Sequence, residues 1–204
     1  MDRELVERRG REGPPPLQQR AGGQREQGER LLATASELFY RRGIHAVGVD
    51  LIADLAGTTK KTLYDRFGSK DNLVALYLQA RFERWRLFVD ERLAALEPGQ
   101  DQVLAAFDVL AEWHATNTCG CAFVNADAEI GRTDHPGVAV IRAEKKWMRE
   151  RYEQLVRDAG LPEALGGYLH LLHEGAIVSM TSGAQEDAMA NARSAARELL
   201  AAAG

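Results

Sequence analysis

The sequence predicts an all-α protein, and three observations carry that expectation. Ala, Leu, Arg and Glu dominate the chain, a mixture that favours helix over strand. Apolar residues return every three or four positions in one segment after another. Most of the six prolines sit in the N-terminal stretch or beside turn signals such as "GRTDHPG" and "AGLP", between the periodic segments rather than inside them. With 204 residues and 45% hydrophobic content, the chain is long enough to bury a core in one large domain or two small ones.

Residues 1–28 are rich in Arg, Glu, Gln, Gly and Pro and almost lack large apolar side chains. Such a segment cannot bury enough surface to offset the entropy of ordering, so a disordered arm is expected. Its acidic residues nearly cancel its arginines, which favours a solvated tail over an arm that touches DNA.

The pattern changes at Glu29. Leu31, Leu32, Ala35, Leu38 and Phe39 recur at helical spacing, and "RRG" at Arg41 to Gly43 supplies a cationic end and a glycine stop. A second, short helix is expected from Val49 to Leu55, with Val49, Ile52 and Ala53 inward and Gly57 ending it. A third follows in "TTKKTLYDRFG", where Thr59 is a capping residue and Gly68 a left-handed stop. Leu63 and Phe67, four apart, form its anchor face and leave Lys60, Lys61 and Tyr64 projecting outward. A short helix with a cationic and aromatic outer face, joined to its predecessor by the tight "AGTT" turn, is how a helix-turn-helix presents itself to a major groove.

"GSKDNL" starts a fourth helix, with Ser69 as cap and a fresh N-terminus near Lys70 suited to a phosphate. Leu73, Leu76, Tyr77, Ala80, Trp85, Phe88, Val89 and Leu96 are its main apolar positions, and Pro98-Gly99 stops it. Further helices are expected at about 101–115, 123–131, 135–159, 162–182 and 185–203, giving a head over 29–75 and a helical body over 76–204.

The formal net charge of −4 gives no global sign of a nucleic-acid partner, so recognition must rest on a local patch. Two cysteines, Cys119 and Cys121, are too few and too close for a disulfide framework and suit a reducing cytoplasm. No apolar run approaches a membrane span and the polar start has no signal-peptide core, so a soluble cytoplasmic protein is expected.

The segment from Glu29 to Tyr77 resembles the DNA-binding region of TetR-type bacterial transcriptional regulators. Phe39, Gly43, Ile52, Ala53, Gly57, Thr62, Leu63, Tyr64, Phe67, Ser69 and Lys70 carry the resemblance at their mutual spacings. It implies a homodimer in which an N-terminal three-helix head binds double-stranded operator DNA and the fourth helix transmits. A C-terminal helical bundle then dimerises and often holds a small-molecule effector; separately, no cofactor or metal is expected. The DNA contacts it implies are Thr59, Lys60, Lys61, Thr62, Tyr64 and Lys70. The chain departs from the pattern at Val47 and Gly48, where the family usually places a Thr or Ser cap, and at Asp65, an acid on the groove-facing helix.

In the body, Trp85, Phe107, Trp113, Phe123 and Trp147 read mainly as core, but some are expected to line a pocket with His114, Asn125 or Glu129 as its polar groups. Small and apolar residues at Ala176, Ser179, Met180, Met189, Ala192, Ala196 and Leu199 form a stripe expected to pair with a second copy across a two-fold axis. Cys119 and Cys121, with His114 and His135, offer a redox or metal-sensing alternative. A helical-bundle enzyme using Cys121, His114 and Glu129 is the alternative of another class; the chain lacks a glycine-rich phosphate loop or a recognisable triad motif.

Overall fold

The computed structural model describes residues 17–203. Among them are nine helices and no strand: α1 (Leu17–Arg42), α2 (Val49–Leu55), α3 (Lys60–Phe67), α4 (Lys70–Leu93), α5 (Gln100–Thr116), α6 (Ala122–Ile130), α7 (Gly137–Asp158), α8 (Ala164–Thr181) and α9 (Ala188–Ala203).

The first helix corrects the expected arm. Residues 17–28 continue α1 upstream of Glu29 without a break, while residues 1–16 lie outside the described residues. Extending a helix adds a hydrogen bond per residue once the costly first turn exists, so a polar flank can remain helical on an anchored neighbour. The anchor is tertiary: the Gln27 amide donates to Thr58 Oγ1 at 2.8 Å. Gly28 faces the Arg66 guanidinium so closely that a Cβ would stand 1.8 Å from Nε.

α2 and α3 match the sequence reading. Val49, Ile52 and Ala53 are buried, and Leu63 is fully buried while Phe67 packs at the edge of the core. The Thr59 hydroxyl accepts from the Thr62 N–H at 3.2 Å, and Gly68 ends α3 at φ 75°, where a side chain would strain the backbone. Gly48 precedes α2 without a side-chain cap, as its lack of a hydroxyl requires. α4 stops at Leu93 instead of running to Leu96, because the Gln102 amide takes the carbonyls of both residues, at 2.9 and 3.2 Å, and turns the chain.

Two apolar clusters divide the molecule. One joins Leu31, Phe39, Ile52, Leu63, Leu73 and Tyr77 of the head to Phe123, Ala126 and Ile130 of α6 and Ile141 of α7. The other gathers Trp85, Phe107, Met148, Tyr152, Leu169 and Leu200 in the body. The head core therefore runs past the boundary expected after residue 75. α4 contributes its first half to one cluster and its second half to the other.

Part of the small-residue stripe is buried within the chain. Ala176, Ala192 and Ala196 are buried, the last with no exposure, in the seam that α8 and α9 form with each other and with α5. Small side chains let helix backbones approach, but the spacing does not say whether the approaching helix belongs to the same protomer. Ser179, Met180, Met189 and Leu199 lie half-buried beside the seam. α8 also leaves Tyr168, Leu171, Gly175 and Val178 open, and Leu171 and Gly175 share a surface groove with Ala176, Ser179 and Ala192.

Candidate nucleic-acid interface and ligand chamber

The outward face of α3 carries the predicted contact residues, in a chain of local pairings. Lys60 Nζ lies 3.1 Å from Asp50 Oδ2 on α2, and Lys61 Nζ lies 2.5 Å from Asp65 Oδ2 one turn along α3. All four side chains are about half exposed or more, so solvent and salt screen these pairs and they exchange readily for a phosphate. Tyr64 is 42% exposed. Thr62 is half-buried and its hydroxyl meets that of Thr59 at 3.0 Å, so these two threonines shape the start of α3.

Lys70 differs from the other candidates. Its ammonium donates to the Ile44 carbonyl at 2.7 Å and stands 6.0 Å from the centre of the Phe39 ring, closing the turn between α1 and α2. What α4 offers at its start is the backbone: Ser69 Oγ accepts the Asn72 N–H at 3.0 Å and fixes the direction of the first turn.

Four of the eight predicted pocket residues line one interior chamber: Trp85, Trp113, His114 and Phe123. The other four do not. Phe107 packs on Tyr152 with ring centres 5.7 Å apart, and Trp147 meets Phe82 edge-on at 5.7 Å. The Asn125 amide donates to the Cys119 carbonyl at 2.8 Å. The Glu129 carboxylate accepts the backbone N–H groups of Ile44 at 2.7 Å and of His45 at 2.6 Å, so it is a tether from α6 to the head. That placement separates Glu129 from Cys121 and His114, and the enzyme trio is not assembled.

Sequence reasoning missed the chamber's charged groups. Arg81 from α4, Glu144 and Lys145 from α7 and the neighbouring Glu174 on α8 read as surface charges in a one-dimensional pattern. Lys145 Nζ donates to both Glu174 oxygens, at 2.8 and 3.0 Å, and to Cys121 Sγ at 3.4 Å. Glu144 Oε2 lies 3.4 Å from the same ammonium, within ion-pair range, yet forms no hydrogen bond.

Burial alone would lower the Lys145 pKa, but the carboxyl groups around it, above all Glu174 within 3.0 Å, reverse the sign and hold it protonated. Glu174 is buried too, but the His170 ring, whose Nε2 lies 3.5 Å away, and the Lys145 ammonium pull its carboxyl down to about 2. Burial pushes the Glu144 carboxyl and the Cys121 thiol up, and His173 down to about 3. His173 is therefore a neutral imidazole whose Nδ1 meets the Tyr152 hydroxyl at 3.1 Å. Cys121 remains a thiol, the less readily oxidised form.

Cys119 is exposed, and His135 sits in the turn before α7, where its Nδ1 accepts the Gly137 N–H at 2.9 Å and its Nε2 lies 3.5 Å from Asp71. Among the described residues no three of His, Cys, Asp and Glu gather as metal ligands. No described helix is long and apolar enough to cross a membrane.

Comparison with known proteins follows this geometry. Residues 31–77, spanning the last part of α1 through the first turns of α4, match the family model "Bacterial regulatory proteins, tetR family". The transcriptional activator FasR of Mycolicibacterium smegmatis is 36% identical over 111 residues, covering 50% of this chain and 48% of its own. The transcriptional repressor KstR2 of Mycobacterium tuberculosis is 37% identical over 89 residues, 42% of this chain and 44% of its own. The chain thus spans about half the length of these curated relatives. The crystal structure of a TetR-family transcriptional regulator from Streptomyces coelicolor superposes with a TM-score of 0.79 at 30% identity, over 88% of this chain and 96% of that one. With the head, the linking α4 and the helical body all matched in that superposition, the chain belongs to the TetR family of bacterial regulatory proteins.

Proposed function

We propose that this chain is a cytoplasmic, homodimeric transcriptional repressor that leaves a palindromic operator when a small molecule enters the interior chamber. The observation that carries the reading is the outer face of α3, where Lys60, Lys61 and Tyr64 are exposed on a helix whose opposite face is fixed by Leu63. Exposed, exchangeable cations on a braced helix supply phosphate affinity and base-edge contacts. A partner copy docked on the open stripe of α8 would set two such heads on successive major grooves, with half-sites about one helical turn or more apart. FasR is named an activator and KstR2 a repressor.

The coupling follows from two connectors. The chamber as it stands has a volume of about 20 Å³, room for one water, so any larger effector has to displace its walls. Those walls include Arg81 and Trp85 of α4, whose first half is built into the head core, and Phe123 of α6. Six residues further along α6, roughly 9 Å of helix, Glu129 grips the turn that leads into α2. An effector that fits the widened chamber better than the closed one shifts the heads by that difference in affinity.

The test is binding of the purified protein to the region flanking its own gene, titrated over salt, beside a Lys60→Ala/Lys61→Ala variant. Specific binding that weakens with salt, with a log–log slope shallower by about 2 in the double variant, supports the reading. A folded dimer that prefers no sequence, either there or in a selection from random DNA, would sink it.

A further inference from the structure

Arg81 is the one buried arginine among the described residues, at 5% exposure, and it has no carboxylate partner among them. Its guanidinium lies 4.0 Å from the centre of the Tyr40 ring and 5.5 Å from that of Trp113, and Nη2 donates to Asn117 Oδ1 at 3.0 Å. Neutral partners orient a buried cation but leave its charge uncompensated, an arrangement that carries a standing desolvation cost.

The same side chain lines a second, larger space. This groove, of about 400 Å³, runs between α1, α4 and the turn from α5 to α6. Leu32, Ala33 and Ala80 give it an apolar patch among otherwise polar lining residues, Arg84 among them. The lining carboxylates are already engaged: Glu37 pairs with Arg41, and Glu29 with Arg25 at 2.9 Å. Two positive charges, Arg81 and Arg84, are left facing the groove with no acidic partner among the described residues.

We propose that this groove is a binding site for an organic oxyanion, a carboxylate or phosphate ester on a compact apolar body, with Arg81 as its anchor. The planar fork of a guanidinium pre-oriented by Tyr40 and Asn117 matches two oxygens of either group, and Arg84 lines the same groove. The apolar patch accounts for the body that the anion carries. Because α1 belongs to the head, the turn to the body and α4 to both, a ligand here spans the joint between the two parts, in a groove that shares Arg81 with the interior chamber.

The experiment uses the full chain without DNA, so it reads the groove whether or not the regulator reading holds. Tryptophan fluorescence is the readout because the Trp113 ring centre lies 5.5 Å from the Arg81 guanidinium. Benzoate and phenyl phosphate are the carboxylate and phosphate probes, benzamide is the uncharged control, and inorganic phosphate lacks the apolar body. Saturable quenching by benzoate or phenyl phosphate is expected, at least about tenfold tighter than benzamide or inorganic phosphate, and whichever binds better identifies the anion class. Arg81→Met, which keeps the stem, should weaken it by on the order of tenfold or more, the loss of a charge-assisted hydrogen bond. Ala33→Trp, which fills the groove from an exposed position, should abolish it even if Arg81→Met does not fold. Equal binding of benzamide, no saturation by either anion, or unchanged affinity in Ala33→Trp would each overturn the proposal.

Discussion

Glu129 on α6 holds the backbone N–H of Ile44 at 2.7 Å across 85 positions of sequence, and with the adjacent bond to His45 it fastens the body to the turn that opens the reading head. Glu129→Ala leaves two N–H groups at a partly buried turn without their acceptor. The expected loss of stability is about 1–3 kcal/mol. Amide hydrogen exchange at Ile44 and His45 should accelerate while exchange in the α8–α9 seam stays slow; unchanged exchange at the turn would mean that other contacts hold it.

Asp65 sets a brake on Lys61. Its carboxylate pairs with the ammonium at 2.5 Å on an exposed helix face. Asp65→Asn frees the lysine and removes a negative charge from the phosphate side, so DNA affinity should rise at low salt and the gain should shrink as salt screens it. A drop in affinity for the cognate sequence alone would instead assign Asp65 to base readout, where a carboxylate accepts from cytosine.

Leu171 is 69% exposed on α8, between Tyr168 at 55% and Val178 at 48%. An apolar stripe of this size on one helix is the surface expected to meet a second copy. Leu171→Glu should shift sedimentation from dimer to monomer and weaken operator binding, whereas Ala196→Ser, buried in the seam, should lower thermal stability first. A dimer unaffected by Leu171→Glu would place the interface elsewhere.

The pH dependence of stability has a worked sign. His173 has its folded pKa lowered to about 3, so below its usual 6.5 the unfolded chain binds a proton that the folded chain refuses. Stability should therefore fall as pH drops from 6.5 towards 3, by up to roughly 1.4 kcal/mol per pH unit from this residue. Burial depresses His114 and His135 as well, which steepens the same slope. Glu174, with its carboxyl held down at about 2, adds a loss only below the ordinary carboxylate range, and Glu144, with its pKa raised, works the other way as it protonates. Urea unfolding at pH 7 and pH 5 should show a smaller difference in His173→Phe than in the parent; equal differences would shift the effect to His114 and His135.

The head was legible because its signals are local. Thr59, Gly68 and Ser69 act within a turn of where they stand, and Leu63 and Phe67 define a face by spacing alone. α1 was misjudged because its polar flank is held by Thr58 and Arg66, more than thirty positions away. The chamber was half legible for the same reason. Trp85 and Trp113 announce burial by their size, but Arg81, Glu144 and Lys145 look like any solvated charges until α4, α7 and α8 close around them. The alanines of α8 and α9 gave a true signal of close approach and no information on which helix approaches.

If the proposed effector enters the chamber, its near-closure makes the regulator's sensitivity a property of its own packing. If a resting cavity admits a single water, the free energy needed to part α4, α7 and α8 is subtracted from every effector's affinity before any contact counts. A trimmed wall residue such as Leu110→Ala would lower that threshold while weakening the fold. Detection limit and thermal tolerance are then drawn from the same few side chains, and selection on either one moves the other.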